Sequence, residues 1–134
     1  DRSYTTPGGG GTPSPTPGGA VTISVSTGTS GASASGYVYT SSAGSNGPDG
    51  LLTLTASVGD TIQLPGSGLH PLYFDAGSST CIYSGSTGNQ TYVFPSAGTY
   101  YFHCGNHATA CGGGGNAACG STSCTSMAGV VTVN

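Results

Sequence analysis

Four side chains of this sequence have the types needed to hold a metal ion. Cys104 ends the apolar run of residues 100–104, His107 follows it after two intervening residues, and Met127 lies where a final apolar run begins. A second histidine, His70, lies far upstream in the sequence Gly-Leu-His-Pro-Leu-Tyr-Phe. Two imidazoles, a thiolate and a thioether form a donor set of mixed softness, which suits copper. The sequence therefore predicts a copper site.

The order of these residues also suits reversible electron transfer. Copper that alternates between Cu(I) and Cu(II) needs a site that neither state fully prefers, and two imidazoles and a thiolate in a plane with a weak, distant thioether provide it. A cysteine that ends a strand and a histidine in the following loop can converge on one point. The methionine can reach that point as the chain turns back, and His70 would close the plane from another part of the fold.

Short runs of alternating or β-branched apolar residues recur along the chain and predict strands. No run has helical periodicity, so we predict an all-β fold of about eight strands, a Greek-key β-sandwich or barrel. The predicted strands are residues 21–26, 37–40, 51–56, 61–64, 71–74, 91–94, 99–104 and 129–133.

Residues 1–19 differ in composition from the rest of the chain. They hold four of the eight prolines and almost no apolar side chains, and so cannot pack a core. We predict a flexible linker or arm over residues 1–19 and one copper-binding domain over residues 20–134, which the length of 134 residues suits. Two further interpretations of the arm are docking on a neighbouring subunit and O-linked glycosylation.

Charge excludes several classes of partner. Arg2 is the one basic residue against four acidic ones, and the formal net charge is -3. Because no basic patch can neutralise phosphates, we expect neither nucleic acid nor an anionic membrane as a partner. No apolar run approaches the roughly 20 residues that span a bilayer. The chain begins at Asp1 without an apolar leader, which we interpret as a processed form or an excised domain.

The five cysteines indicate an oxidising compartment, so we expect a secreted or cell-surface protein. The odd number leaves one thiol over, which we assign to Cys104. The other four can form two disulfides in three ways; they are Cys81, Cys111, Cys119 and Cys124. Asn89 begins an Asn-Gln-Thr sequon, which in a secreted eukaryotic protein predicts an exposed, glycosylated loop edge.

These motifs resemble those of cupredoxins, the blue copper proteins, over about residues 21–133. Residues 58–64, leading to His70, are similar to the family's Gly-Asp strand followed by its first histidine ligand. Residues 95–107 resemble the segment with the cysteine and second histidine, and residues 127–133 resemble the axial methionine and closing strand. The resemblance implies one copper ion held by His70, Cys104, His107 and Met127, and a redox partner protein.

Two features depart from the small plastocyanin-like members of that family. The gap from His107 to Met127 is much longer; a disulfide-braced insertion over residues 111–124 would leave and return at nearly one point. In addition, one cysteine precedes the ligand cysteine and another follows the second histidine, as in the phytocyanin branch. That resemblance implies the pairs Cys81–Cys111 and Cys119–Cys124.

His103 raises the question of an enzyme. Its neighbour Cys104 is a predicted ligand, so His103 should point to the opposite face of the strand. In copper nitrite reductases and multicopper oxidases a histidine beside the cysteine binds a second copper centre. Here the position five residues after His70 is Asp75, and the chain has three histidines, so one chain cannot complete such a centre. We expect no enzyme, and a His103 that forms a hydrogen bond across the sheet.

The leading functional hypothesis is an extracellular one-electron carrier that docks briefly with its redox partner. A structural surface or filament module that self-associates, with a retained or vestigial copper site, would also suit the near-zero charge, the 26 glycines and the arm. Copper storage or delivery is a third hypothesis. A copper oxidoreductase assembled across subunits through His103 is a fourth.

Overall fold

The structure, a computed structural model, describes residues 19–27, 35–111 and 115–134. The predicted arm therefore lies outside the described residues, apart from Gly19. The described residues form eleven strands and one short 3-10 turn, Pro48–Gly50. The strands are β1 (Ala20–Thr22), β2 (Ser24–Thr27), β3 (Tyr37–Thr40), β4 (Gly44–Asn46), β5 (Leu52–Ala56), β6 (Thr61–Leu64), β7 (Leu72–Asp75), β8 (Tyr83–Ser86), β9 (Gln90–Val93), β10 (Gly98–Thr109) and β11 (Thr125–Val133).

The strands form a six-stranded sheet of order β8-β7-β10-β11-β5-β4, a three-stranded sheet of order β9-β6-β1 and a two-stranded sheet, β2-β3. Both larger sheets are mixed. In the six-stranded sheet β11 runs antiparallel to β10 and parallel to β5, and in the three-stranded sheet β6 runs antiparallel to β9 and parallel to β1. The predicted all-β sandwich is confirmed. The alternative prediction of a β-barrel is wrong, because none of these sheets closes on itself within the described ranges. No helix in the described part of the chain has the length and apolar character to cross a membrane.

The core lies between the sheets and follows the alternation of the strands. In β10, for example, Tyr100, Phe102 and Cys104 are buried at every second position, which puts all three side chains on one face. Phe102 packs directly on Gly129 of β11, where an added Cβ would overlap with the ring. The largest fully buried side chains include Tyr39, Phe74, Phe94, Phe102, Leu52, Ile62, Leu64, Leu72, Met127 and Val131.

An irregularity in the β10–β11 ladder creates the geometry of the candidate site. The two strands pair regularly from Gly98 to His103, which is opposite Ala128, and pairing resumes where Ala108 is opposite Ser126. Residues 104–107 of β10 therefore face one residue of β11, Met127. Extra residues in one strand bend it out of the ladder. This bulge brings the predicted cysteine, second histidine and methionine to one end of the sheet.

The two disulfides differ from those that the phytocyanin resemblance implied. The structure pairs Cys81 with Cys119 and Cys111 with Cys124, so the expected pairs Cys81–Cys111 and Cys119–Cys124 are wrong. The ladder explains the second bridge, because its last pair, Thr109 and Thr125, leaves Cys111 and Cys124 with Cα atoms 4.1 Å apart.

Residues 110–124 join β10 to β11, and we call this segment the excursion. Cys119 lies near its middle. Its Sγ is 3.8 Å from the carbonyl oxygen of Tyr83, and it bonds to Cys81 just before β8. The Cys111–Cys124 disulfide thus joins the two ends of the excursion, and the Cys81–Cys119 disulfide attaches its middle to the segment before β8.

Cys104 is the one free cysteine among the five, as predicted. The two disulfides fit an oxidising compartment.

Candidate metal centre

His70, Cys104 and His107 bring three donor atoms together at the bulge. The Nδ1 atoms of the two histidines are 3.1 Å apart. Cys104 Sγ lies 3.6 Å from the Nδ1 of His70 and 3.5 Å from the Nδ1 of His107. The three residues predicted to form the plane of the site therefore do converge, and as a group they can hold a metal ion.

The size and chemistry of this triangle fit a transition-metal ion. A point equidistant from the three atoms lies about 2.0 Å from each. Typical metal–nitrogen distances are about 2.0–2.1 Å, and metal–sulfur distances are about 2.3 Å. Imidazole and thiolate donors suit zinc and copper, whereas calcium and magnesium prefer oxygen.

Hydrogen bonds fix the loop that holds His70 and tie it to the bulge that holds His107. The N–H of His70 donates to Ser67 Oγ at 3.0 Å, and the Ser67 N–H donates back to the His70 carbonyl at 3.0 Å. The Asn106 side-chain amide donates to the Leu69 carbonyl at 2.9 Å. The loop before β7 and the bulge in β10 therefore keep a fixed relation, which holds the two imidazoles in place.

Burial controls the protonation of the donors. Burial raises the pKa of the Cys104 thiol, although the nearby backbone N–H groups of Asn106 and His107 oppose this. The Asn106 N–H lies 3.4 Å from the sulfur. Burial, together with the charge of His107, lowers the pKa of His70 and favours the neutral ring that binds metals. A metal ion would therefore displace the thiol proton as it binds.

Met127 is fully buried and belongs to the same core cluster as Cys104. Its place in β11, opposite the bulge, is where a fourth donor from that strand would stand. The preceding residue, Ser126, has a positive φ of 68° and lies 2.6 Å, Oγ to Oγ, from Ser35. This bond fastens the strand beside Met127 to the segment that leads into β3.

Tyr37, which the sequence did not point to, covers both imidazoles. Its ring centroid lies 4.7 Å from that of His70 and 4.4 Å from that of His107. In the sequence Tyr37 is one aromatic residue of a short strand, and nothing local relates it to residues 70 and 107. Only the position of the β2–β3 pair brings it there.

We expect Tyr37→Ala to speed the transfer of a bound ion to an external chelator by about three- to tenfold. The reason is the loss of the aromatic ring that covers the site, for which we take the value of one aromatic pair, about 0.5–1.5 kcal/mol in total. Tyr37→Phe keeps the ring and should exchange its ion more slowly than Tyr37→Ala in stopped-flow chelator exchange. Equal rates for the phenylalanine and alanine variants would contradict a covering role for the ring.

His103 lies on the other face of β10, as predicted. Its ring stacks on Tyr73 at 5.2 Å between centroids, and its Nε2–H donates to the Asn116 carbonyl at 2.7 Å. His103 was expected to form a hydrogen bond across the sheet, but its partner is Asn116 in the excursion. Burial lowers the pKa of His103.

Asp75, in the neighbouring strand β7, is also fully buried. Its Oδ1 accepts a hydrogen bond from the Gly77 N–H at 2.7 Å. Burial raises the pKa of Asp75, against the lowering effects of the Gly77 and Gly120 N–H groups and of His103. The folded chain thus holds this proton more tightly than the unfolded chain. The contribution of the Asp75 carboxyl to the free energy of unfolding is therefore fully present at a pH below its ordinary pKa. It is lost as the pH rises through the raised pKa of the folded state.

We therefore expect Asp75→Asn to gain stability relative to the wild type as the pH rises from about 4 to about 7. Asparagine keeps the oxygen that accepts from Gly77 but has no charge to bury. Urea unfolding of both proteins at the two pH values measures the difference. A difference that does not change with pH would show that Asp75 titrates at its ordinary value.

The sequon begins with Asn89 in the turn between β8 and β9, and its other two residues are the first two of β9. Asn89 is exposed, as predicted, and its Oδ1 accepts a hydrogen bond from the Gly66 N–H at 3.2 Å. Glycosylation at Asn89 stays a prediction.

The comparisons with known proteins add no family to this picture. No model of a known protein family matches the chain, and no curated protein matches it. The site therefore has to be interpreted from its own geometry and chemistry.

Proposed function

We propose that the protein is an extracellular type 1 copper protein that carries one electron. The observation that carries the proposal is the triangle formed by two imidazole Nδ1 atoms and one buried sulfur, with sides of 3.1, 3.5 and 3.6 Å. The resemblance of the surrounding motifs to cupredoxins supports it, as do the two disulfides, which fit secretion.

In this proposal His70, Cys104 and His107 hold one copper ion, and Met127 is the weak fourth donor. When bound, copper supplies the one-electron change between Cu(I) and Cu(II). The protein supplies a frame that holds the donors in place. Cys104 is fixed in the core, and the Asn106–Leu69 bond holds the two histidine loops together. A donor set held in this way changes little between oxidation states, which favours fast electron transfer.

The exposure of the residues around the site suggests where a partner would dock. His107 is partly exposed, whereas His70 is buried. Leu69, next to His70, is 55% exposed and adds an apolar contact beside the site. An electron would pass through the exposed edge of His107 to a redox partner protein that docks briefly on this end of the sandwich.

The test is a titration of the protein with Cu(II), followed by visible absorption. We expect one copper per chain, an intense blue or green colour, and reversible loss of the colour on one-electron reduction. A pale solution, or copper bound without a thiolate absorption band, would refute the proposal. An intense colour combined with fast loss of copper to chelators would indicate storage or delivery instead of electron transfer.

A further inference from the structure

A second group of metal-binding side chains lies on the opposite face of β10 from the candidate copper centre. One ligand atom each from His103, Cys111 and Cys124 lies within 4.8 Å of the others. His103 and Cys124 are buried, and Cys111 is partly buried. The group sits at the base of the excursion that joins β10 to β11.

The hydrogen bond of His103 determines which of its two ring nitrogens is free to bind a metal ion. A carbonyl oxygen can only accept, so the Nε2 of His103 carries the proton that is donated to Asn116. In the neutral ring this leaves the lone pair on Nδ1. Metal-binding histidines commonly donate their other N–H to a backbone carbonyl in this way, which fixes the ring and its tautomer.

The two sulfurs of this group are joined as the Cys111–Cys124 disulfide. A dithiol reductant would transfer two electrons and two protons to this bond and become a disulfide itself, leaving two thiols. The thiols would stay close together, because the β10–β11 ladder continues to Thr109 and Thr125, just inside the two cysteines. The backbone, and not only the disulfide, therefore keeps the two sulfurs next to His103.

We propose that reduction of Cys111–Cys124 opens a second metal site, in which His103 and the two thiolates bind a thiophilic cation such as Zn²⁺. The ion replaces the two thiol protons as it binds. The site is separate from His70, Cys104 and His107, so the inference does not rest on the proposed function. This second site would bind its ion only under reducing conditions.

The test uses the full chain with Cys104→Ala, which removes the first site, and Co²⁺ as a spectroscopic probe. After reduction with a dithiol and removal of the reductant under anaerobic conditions, we expect one Co²⁺ per chain with sulfur-to-cobalt absorption bands. Before reduction we expect none. Adding Cys111→Ser and Cys124→Ser should remove the bands, whereas adding Cys81→Ser and Cys119→Ser should keep them.

His103→Gln in the same background distinguishes a built site from two neighbouring thiols. We expect it to weaken Co²⁺ binding by at least about tenfold. Equal affinity with and without His103, or bands that depend on Cys81 and Cys119, would overturn the proposal. If reduction unfolds the chain, one equivalent of Co²⁺ should restore its near-ultraviolet circular dichroism, because an ion that binds only the folded state stabilises it. The absence of both the bands and this recovery would also overturn it.

Discussion

Cys104→Ser is expected to abolish the intense colour of the copper-loaded protein and to lower its copper affinity by at least about tenfold. The colour would come from charge transfer between the thiolate and Cu(II), and a serine hydroxyl stays protonated and binds copper weakly. Because Cys104 is fully buried, serine also places a hydroxyl in the core, at a cost of about 1–3 kcal/mol. Visible absorption and competition with a copper chelator measure the two effects.

A matched control separates loss of the ligand from the burial of a hydroxyl group. Ala56, in β5, is also buried and belongs to the same core cluster. Ala56→Ser should lose a similar amount of stability and keep the full colour. If Cys104→Ser kept the colour, the sulfur would come from another residue and the proposed copper centre would be wrong.

Removing the Cys81–Cys119 disulfide is expected to lower the free energy of unfolding more than removing the Cys111–Cys124 disulfide does. The bridge closes a loop of 38 residues, whereas Cys111–Cys124 closes one of 13. The loss of loop entropy in the unfolded chain predicts that Cys81→Ser with Cys119→Ser lowers the free energy of unfolding by about 4 kcal/mol. The same treatment of Cys111 and Cys124 should cost about 3 kcal/mol.

Urea unfolding of both double variants and the wild type, in the absence of reductant, measures this order. The pairing itself can be checked by peptide mapping of the unreduced protein. If the two double variants lost equal free energies of unfolding, or if the Cys111 and Cys124 variant lost more, contacts of the folded excursion would outweigh the loop entropy of the unfolded chain. Peptides joined through Cys81 and Cys111 would contradict the pairs Cys81–Cys119 and Cys111–Cys124.

The strands were predictable wherever side chains alternate. Residues 51–56 and 61–64 were predicted as strands and form β5 and β6, because period-two burial can be inferred from each segment alone. Two other strands were missed. Gly44–Asn46 and Tyr83–Ser86 have no apolar alternation, and they become β4 and β8 only because they pair with β5 and β7. The predicted run 21–26 also contains two strands, β1 and β2, which belong to different sheets.

The candidate metal ligands were predictable from their chemical types, since few other roles use a cysteine, two histidines and a methionine in this order. The disulfide pairs were not, because four cysteines allow three pairings and the choice depends on which chain segments meet. The contact of Tyr37 with the imidazoles was hidden for the same reason. It depends on a strand pair that lies far from the site in sequence.

The residue types and their order along the chain were enough to predict the all-β character, the free Cys104 and the identity of the three converging donors. The four-residue bulge, both disulfides and the burial of His103 under the excursion arise from the packed chain as a whole. The two groups of features differ in the range of the interactions that produce them. Alternation and donor chemistry belong to single segments, whereas strand register and sulfur pairing depend on the free energy of the whole packed chain.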